Sequence, residues 1–159
     1  MKLIPYFVYK KISDRRRDEI IQFLKSNSTA DDYSLFTHQK TNNLLISRMI
    51  TDNNFIVRRN INYRNSFLPI ALGRIIEINN KTYINISVRM HWLIIIFSTI
   101  WFTPLFFAFI ALLYIDTVSI EFILGVFGLI IGGYLLIQVS FWFEAQKLIK
   151  IFDKIFSDN

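Results

Sequence analysis

The side chains best suited to chemistry cluster between Arg58 and Pro69, where three arginines stand among Asn60, Asn62, Asn65, Ser66 and Tyr63. Guanidinium forks grip phosphate and carboxylate in pairs of hydrogen bonds, and amides complete the shell around such an anion. Arg58, Arg59, Tyr63, Arg64 and Asn65 are therefore the candidate ligand site. The same residues also suit a polar crossover between strands, with Asn and Ser capping the backbone and Arg on the wet face. Elsewhere the chemistry is thin. The two histidines, His38 and His91, are far apart, and His91 adjoins an apolar stretch where a structural role is expected. There is no cysteine, no HExxH, and no phosphate loop, Gly73 being the sole glycine before residue 92. Seven acids scattered over residues 1–91 suggest neither a dyad nor a metal cage. No catalytic residue, metal or cofactor is expected, and the chain reads as a non-enzyme.

Two apolar stretches, Trp92–Ile115 and Phe122–Phe143, carry no formal charge and are separated by six residues. Trp92 to Tyr114 spans ~34 Å as a helix, against ~30 Å of bilayer hydrocarbon. The expected core is thus a transmembrane hairpin, residues 91–143, with helices at about 92–115 and 120–143. Trp92, Tyr114 and Trp142 mark its ends as aromatic anchors. Pro104 should bend the first helix, its freed carbonyl taken by a hydroxyl of Ser98, Thr99 or Thr103, or by the partner helix. Gly125, Gly128, Gly132 and Gly133 recur at spacings that let backbones approach, either against the first helix or between copies. Gln138 and Ser140 need partners at that depth, within the hairpin or along the lining of an oligomeric pore.

Charge sets the orientation. Of the net +6, residues 1–91 contribute fifteen Lys/Arg against seven Asp/Glu, while the link between the stretches holds Asp116 and Glu121 and no base. Lys and Arg resist translocation, so both termini are expected in the cytoplasm. Nucleic acid is a remote alternative explanation for the positive charge. With 53% hydrophobic residues and a mean hydropathy of +0.37, the expected partner is the lipid bilayer. No secretory leader is read at the start, because the run Ile4–Val8 is short and bases follow at once.

Positioning the arginines falls to a β-rich domain over residues 1–90. Lys2–Lys11 reads as a strand, placed at an edge by Pro5. Ser13 is the expected N-cap of a helix with Asp14, Asp18 and Glu19 near the positive end of its dipole and Ile20, Ile21, Phe23 and Leu24 on its apolar face. Strands follow at Tyr33–His38, Leu44–Ile50, Phe55–Ile61, Phe67–Ile78 and Thr82–Met90, the last two joined across Asn79-Asn80-Lys81. Alternation sets Leu68, Ile70, Leu72, Ile76 and Ile78 against Arg74, and Ile84, Ile86, Val88 and Met90 against Asn85, Ser87 and Arg89, so one face of the pair is expected to be buried and the other wet. An antiparallel meander or small barrel is expected. Residues 144–159 repeat apolar side chains at helical spacing and form an amphipathic tail, continuing the second span or lying along the interface. The fold class is an α+β membrane protein.

Two strings, Ile61-Asn62-Tyr63-Arg64-Asn65-Ser66-Phe67-Leu68-Pro69 and Phe143-Glu144-Ala145-Gln146-Lys147, together with Gly73 and Arg89, resemble a widespread group of small bacterial membrane proteins of uncharacterised function. That group has a β domain, two spans and a tail in this order. The resemblance implies an inner-membrane home and brings no activity. A looser likeness to bacterial pleckstrin-like domains with membrane hairpins concerns fold alone. The functional expectation is a cytoplasmic β domain that binds a protein partner or small anionic ligand at the membrane. The alternatives are an oligomerising effector of toxin or phage-defence type that permeabilises the bilayer, and an immunity-type protein.

Overall fold

A computed structural model describes residues 4–30, 43–115 and 117–156. Six strands and three helices follow one another as β1 Tyr6–Ser13, α1 Arg17–Ser26, β2 Ser28–Ala30, β3 Leu45–Ile50, β4 Asn54–Arg59, β5 Ile70–Ile78, β6 Lys81–Arg89, α2 Trp92–Leu112 and α3 Ile120–Phe156. The strands make one sheet in the order β1-β6-β5-β4-β3-β2. From β3 to β6 it is the expected meander, and β1 returns antiparallel beside β6 at the edge that Pro5 suggested. The sheet is nevertheless mixed, because β2 runs parallel to β3. Among the described residues it is open, with β1 and β2 as its edges, and no barrel closes there. The expected strand Tyr33–His38, which includes His38, lies outside the described residues.

The β5–β6 connection follows from its asparagines. Ile78 pairs with Lys81, leaving Asn79 and Asn80 as a two-residue loop with φ of 51° and 59°. Both positions need the left-handed region, which Asn tolerates and a right-twisted hairpin requires.

The inward face of β5 differs from expectation by one residue. Ala71, Gly73 and Ile75 point into the core, whereas Ile70 and Leu72 are half-buried on the opposite face and Ile76 and Ile78 are exposed there. Volume explains the phase. Phe55 on β4 faces Gly73, and its ring lies where a Gly73 Cβ would stand, 2.0 Å from Cζ. The Phe55 ring in turn meets Phe152 of α3 edge-on at 6.3 Å. Small residues under a large ring fill the layer, and the bulky isoleucines face outward. On β6 the expected face holds: Ile84, Ile86, Val88 and Met90 are buried.

Helix α1 lies on this inner face through Ile20, Ile21 and Leu24. Ser13 does not cap it; it is the last residue of β1, paired with Thr82. The N-cap residue is Arg16, whose side chain makes no capping bond. Instead the Arg17 N–H donates to Glu77 Oε2 at 3.2 Å, so a carboxylate from β5 takes one of the helix's orphan donors.

Of the two expectations for the tail, the structure shows the one in which it continues the second span. Helix α3 runs unbroken for 37 residues, ~55 Å at 1.5 Å per residue, which is nearly twice the ~30 Å of a bilayer's hydrocarbon. All its buried residues lie in the C-terminal half, from Gln138 to Phe156, where Phe141, Ala145, Leu148, Phe152 and Ile155 enter the core shared with the sheet and α1. Trp142 stacks on Phe7 of β1 at 5.6 Å, and the Tyr9 hydroxyl donates to Asp153 at 2.6 Å. The N-terminal half of α3 pairs with α2, Phe109 meeting Phe127 at 5.5 Å. Both helices are long and apolar enough to cross a membrane, and none of their apolar windows is buried. Within α2 the Ser98 and Thr99 hydroxyls donate to the carbonyls of Ile94 and Ile95, one turn back, and not to the carbonyl freed by Pro104.

Gly73→Ala is expected to cost about 1–3 kcal/mol, because a well-packed core must shift an aromatic ring to admit a methyl. Adding Phe55→Leu should return part of that loss, as measured by a double-mutant cycle in thermal or denaturant unfolding.

Candidate functional site

Strand β6 leads almost directly into α2, through Met90 and His91. His91 is the N-cap of α2: its backbone is extended, with φ −63° and ψ 140°, and its Nδ1 accepts from the Leu93 N–H at 3.2 Å. This gives the histidine the structural role expected of it. Beside it, the outer face of the sheet and the segment after β4 enclose a cavity of about 480 Å³. Ile46 and Arg48 come from β3, Ile56, Arg58 and Arg59 from β4, and Ile70 from β5; the β4–β5 connection adds Tyr63, Arg64 and Asn65, and α2 adds Leu93 and Ile94. All five expected ligand residues line this one space, although they come from a strand and a loop.

Its electrostatics are one-sided. Four guanidiniums and His91 line the cavity, and among the described residues no carboxylate does. The His91 pKa is lowered first by burial, then by the positive charges of Arg48, Arg58 and Arg89. The imidazole is thus held neutral at pH 7, which its cap requires, since a protonated Nδ1 cannot accept. The excess of base extends beyond the cavity. Glu77 is the one acid on the six strands, and it faces α1; the outer face presents Lys10, Arg58, Arg74 and Arg89.

The five residues then divide by partner. Arg59 and Tyr63 hold Glu144 of α3, whose side chain is fully buried. Arg59 Nε donates to Glu144 Oε2 at 2.6 Å, and Nη2 lies 2.6 Å from the same oxygen. The Tyr63 hydroxyl donates to Oε1 and accepts from Arg59 Nη2 at 2.9 Å. Lys147 Nζ stands 3.5 Å from Oε1, one turn along the helix. Burial raises the Tyr63 pKa, and the bond to Glu144 raises it further. Asn65 has the capping role that the crossover alternative assigned to it, its Oδ1 accepting from the Phe67 N–H at 2.9 Å. Arg58 and Arg64, with Arg48, supply the cavity's remaining guanidiniums. Arg48 was missed in the sequence. It sits at an irregularity between Ser47 and Met49 that turns β3 out of simple alternation, and no residue pattern announced it. Glu144 was visible only as part of a string in the second helix; its partner is 85 positions away.

The expected helix-packing residues also divide. Only Gly133 packs on α2, where a Cβ would come within 3.0 Å of Phe102. A Cβ on Gly125, Gly128 or Gly132 would meet nothing within 4 Å, so the GxxxG run does not face the chain's own first helix. The reason is helical phase: Gly125, Gly128 and Gly132 lie on the exposed side of α3, and Gly133 lies on the side that meets Phe102. Gln138 is buried and finds a partner inside its own helix, accepting from Trp142 Nε1 at 2.9 Å.

Comparison with known proteins finds no matching family model, no similar curated protein and no similar solved structure.

Removing Glu144 leaves Arg59, mostly buried, without its carboxylate and beside Lys147, so Glu144→Ala is expected to cost about 3 kcal/mol, the low end for breaking a buried pair. Arg59→Met together with Glu144→Leu should cost far less than either change alone. Thermal unfolding of the detergent-solubilised chain tests both; additive losses would show that the pair is not a unit.

Proposed function

We propose that this chain is a non-enzymatic bacterial inner-membrane protein whose cytoplasmic β domain binds an anionic group, on a small ligand or a protein partner, at the face of the bilayer. The observation that carries the reading is the cavity itself. Arg48, Arg58 and Arg64, from β3, β4 and the β4–β5 connection, converge on one space that no carboxylate among the described residues lines, at the point where the sheet runs into an apolar helix. A convergence of like charge is unfavourable until an anion enters, and a guanidinium cluster offers that anion paired donors. A pocket of several hundred Å³ with a few convergent polar groups has the dimensions of a small-molecule site.

The membrane placement rests on α2 and α3. Their apolar surfaces are uncovered, an arrangement water would penalise and lipid would accept. The sheet and the C-terminal half of α3 share one core, so they stand on the same side of the hairpin. The positive charge before Trp92 supports placing that side in the cytoplasm.

Inorganic pyrophosphate serves as the probe. It should raise the thermal midpoint of the detergent-solubilised full chain, and the double change Arg58→Ala and Arg64→Ala should abolish the rise measured against that variant's own unliganded midpoint. An equal rise in that variant would sink the reading.

One observation favours a second reading, an oligomerising membrane effector of toxin or phage-defence type. Gly125, Gly128 and Gly132 offer a small-residue ridge that α2 does not cover. On that reading Gly128→Leu should abolish dye release from liposomes carrying the chain; liposomes that stay sealed with the unaltered chain would exclude it.

A further inference from the structure

The cavity is lined by both basic and oily side chains. Arg48, Arg58 and Arg64 mark the basic part, while Ile46, Ile56 and Ile70 of the sheet and Leu93 and Ile94 of α2 supply an apolar wall. A site for an inorganic anion or a sugar phosphate has no use for five aliphatic side chains, because each one excludes the water or hydroxyl that would complete the anion's shell. The volume of about 480 Å³ also far exceeds what a phosphate fills. Position adds a second constraint. Leu93 and Ile94 belong to the first turn of α2, and Leu93 is exposed, so the apolar wall passes into the outer surface of a helix long enough to cross a bilayer. Trp92, 60% exposed, stands at the same level, where an indole prefers the headgroup region.

We propose that the cavity takes an anionic phospholipid from the surrounding leaflet. Its phosphate lies among Arg48, Arg58 and Arg64, and the start of an acyl chain lies against Ile56, Ile70 and Leu93. The proposal rests on the anion-binding reading above and names its ligand class. Arg59 has no direct part in it, because Glu144 occupies that guanidinium. Neutral His91 completes the wall; a bound phosphate would offset the positive field of Arg48 and Arg58 and bring the imidazole back toward its ordinary range. The groups facing His91 are then Arg48, Arg58 and Arg89, with no carboxylate among the cavity residues.

The test uses the full chain in phosphatidylcholine nanodiscs containing a minor fraction of phosphatidylglycerol, with retained lipid read by native mass spectrometry after release from the disc. The unaltered chain should retain phosphatidylglycerol over phosphatidylcholine by roughly tenfold or more, the order set by one or two charged hydrogen bonds. Arg58→Ala with Arg64→Ala should bring that ratio close to one. Ile70→Ser should weaken lipid retention without changing the response to pyrophosphate. Leu93→Ser, on an exposed position of α2, repeats the test should Ile70→Ser fail to fold. If both apolar-wall variants keep the lipid as well as the unaltered chain, the phospholipid assignment falls and anion binding stands. The assignment also falls, with anion binding intact, if pyrophosphate displaces no lipid yet still stabilises the chain. If neither lipid nor pyrophosphate depends on Arg58 and Arg64, both proposals fall together.

Discussion

A carboxylate sealed from water must be paired, and Glu144 is paired by residues that no other part of α3 could supply. Arg59 and Tyr63, at the end of β4 and in the loop after it, both bond to it. The desolvation of an ion pair can equal or exceed its attraction, so such a contact is weak evidence of added stability. Its value is positional. Any other rotation or register of α3 against the sheet would strand a buried charge on each side, at a cost of several kcal/mol. The apolar residues around it, Phe141, Ala145 and Leu148, define an oily face that could slide by a turn; Glu144 cannot.

That constraint connects the two halves of the molecule. Because α3 is continuous, fixing its C-terminal half to the sheet also fixes where its apolar half begins and how α2 lies beside it. The Phe7–Trp142 stack and the Tyr9–Asp153 bond brace the same helix from β1, the far edge of the sheet. The Arg15 side chain reaches the Ile155 carbonyl at 3.2 Å and takes up one of the acceptors that a helix C-terminus leaves open. The β-rich and apolar parts therefore form a single packed body, held by side chains from both ends of the chain. A domain of about ninety residues buries only ~60% of its unfolded surface, and α3 supplies the missing cover for its inner sheet face.

The ligand reading depends on the same geometry in a less direct way. Arg59 belongs at once to the cavity wall and to the Glu144 pairing, so the Arg-rich segment serves two purposes through neighbouring residues. Successive residues of a strand point to opposite faces. Arg59 turns toward α3, while Arg58, its neighbour, lies in the row with Ile70 and Ile46 on the outer face. One Arg-Arg pair can then stitch the domain to its helix and present charge to a ligand.

Much of this was legible in residue order. Local patterns carry it: two charge-free stretches of helical length, the Asn79-Asn80 turn, the alternation of β6, the edge position of β1, and the amphipathic repeat after Phe143 all depend on neighbours within a few positions. What residue order could not decide involves partners brought from afar. Leu72 and Ile76 are more hydrophobic than Gly73, so β5 reads in the wrong phase until Phe55 is seen lying over the glycine. Ser13 suits an N-cap until Glu77, sixty positions beyond Arg17, is seen to do that work. The GxxxG run suits the hairpin until its glycines are found on the exposed side of α3. Composition and spacing determined that this chain has a basic β-rich part joined to two membrane-length helices. Only tertiary packing decided which arginines hold Glu144 and which line the cavity, because a guanidinium's role depends on the charge and volume that folding places opposite it.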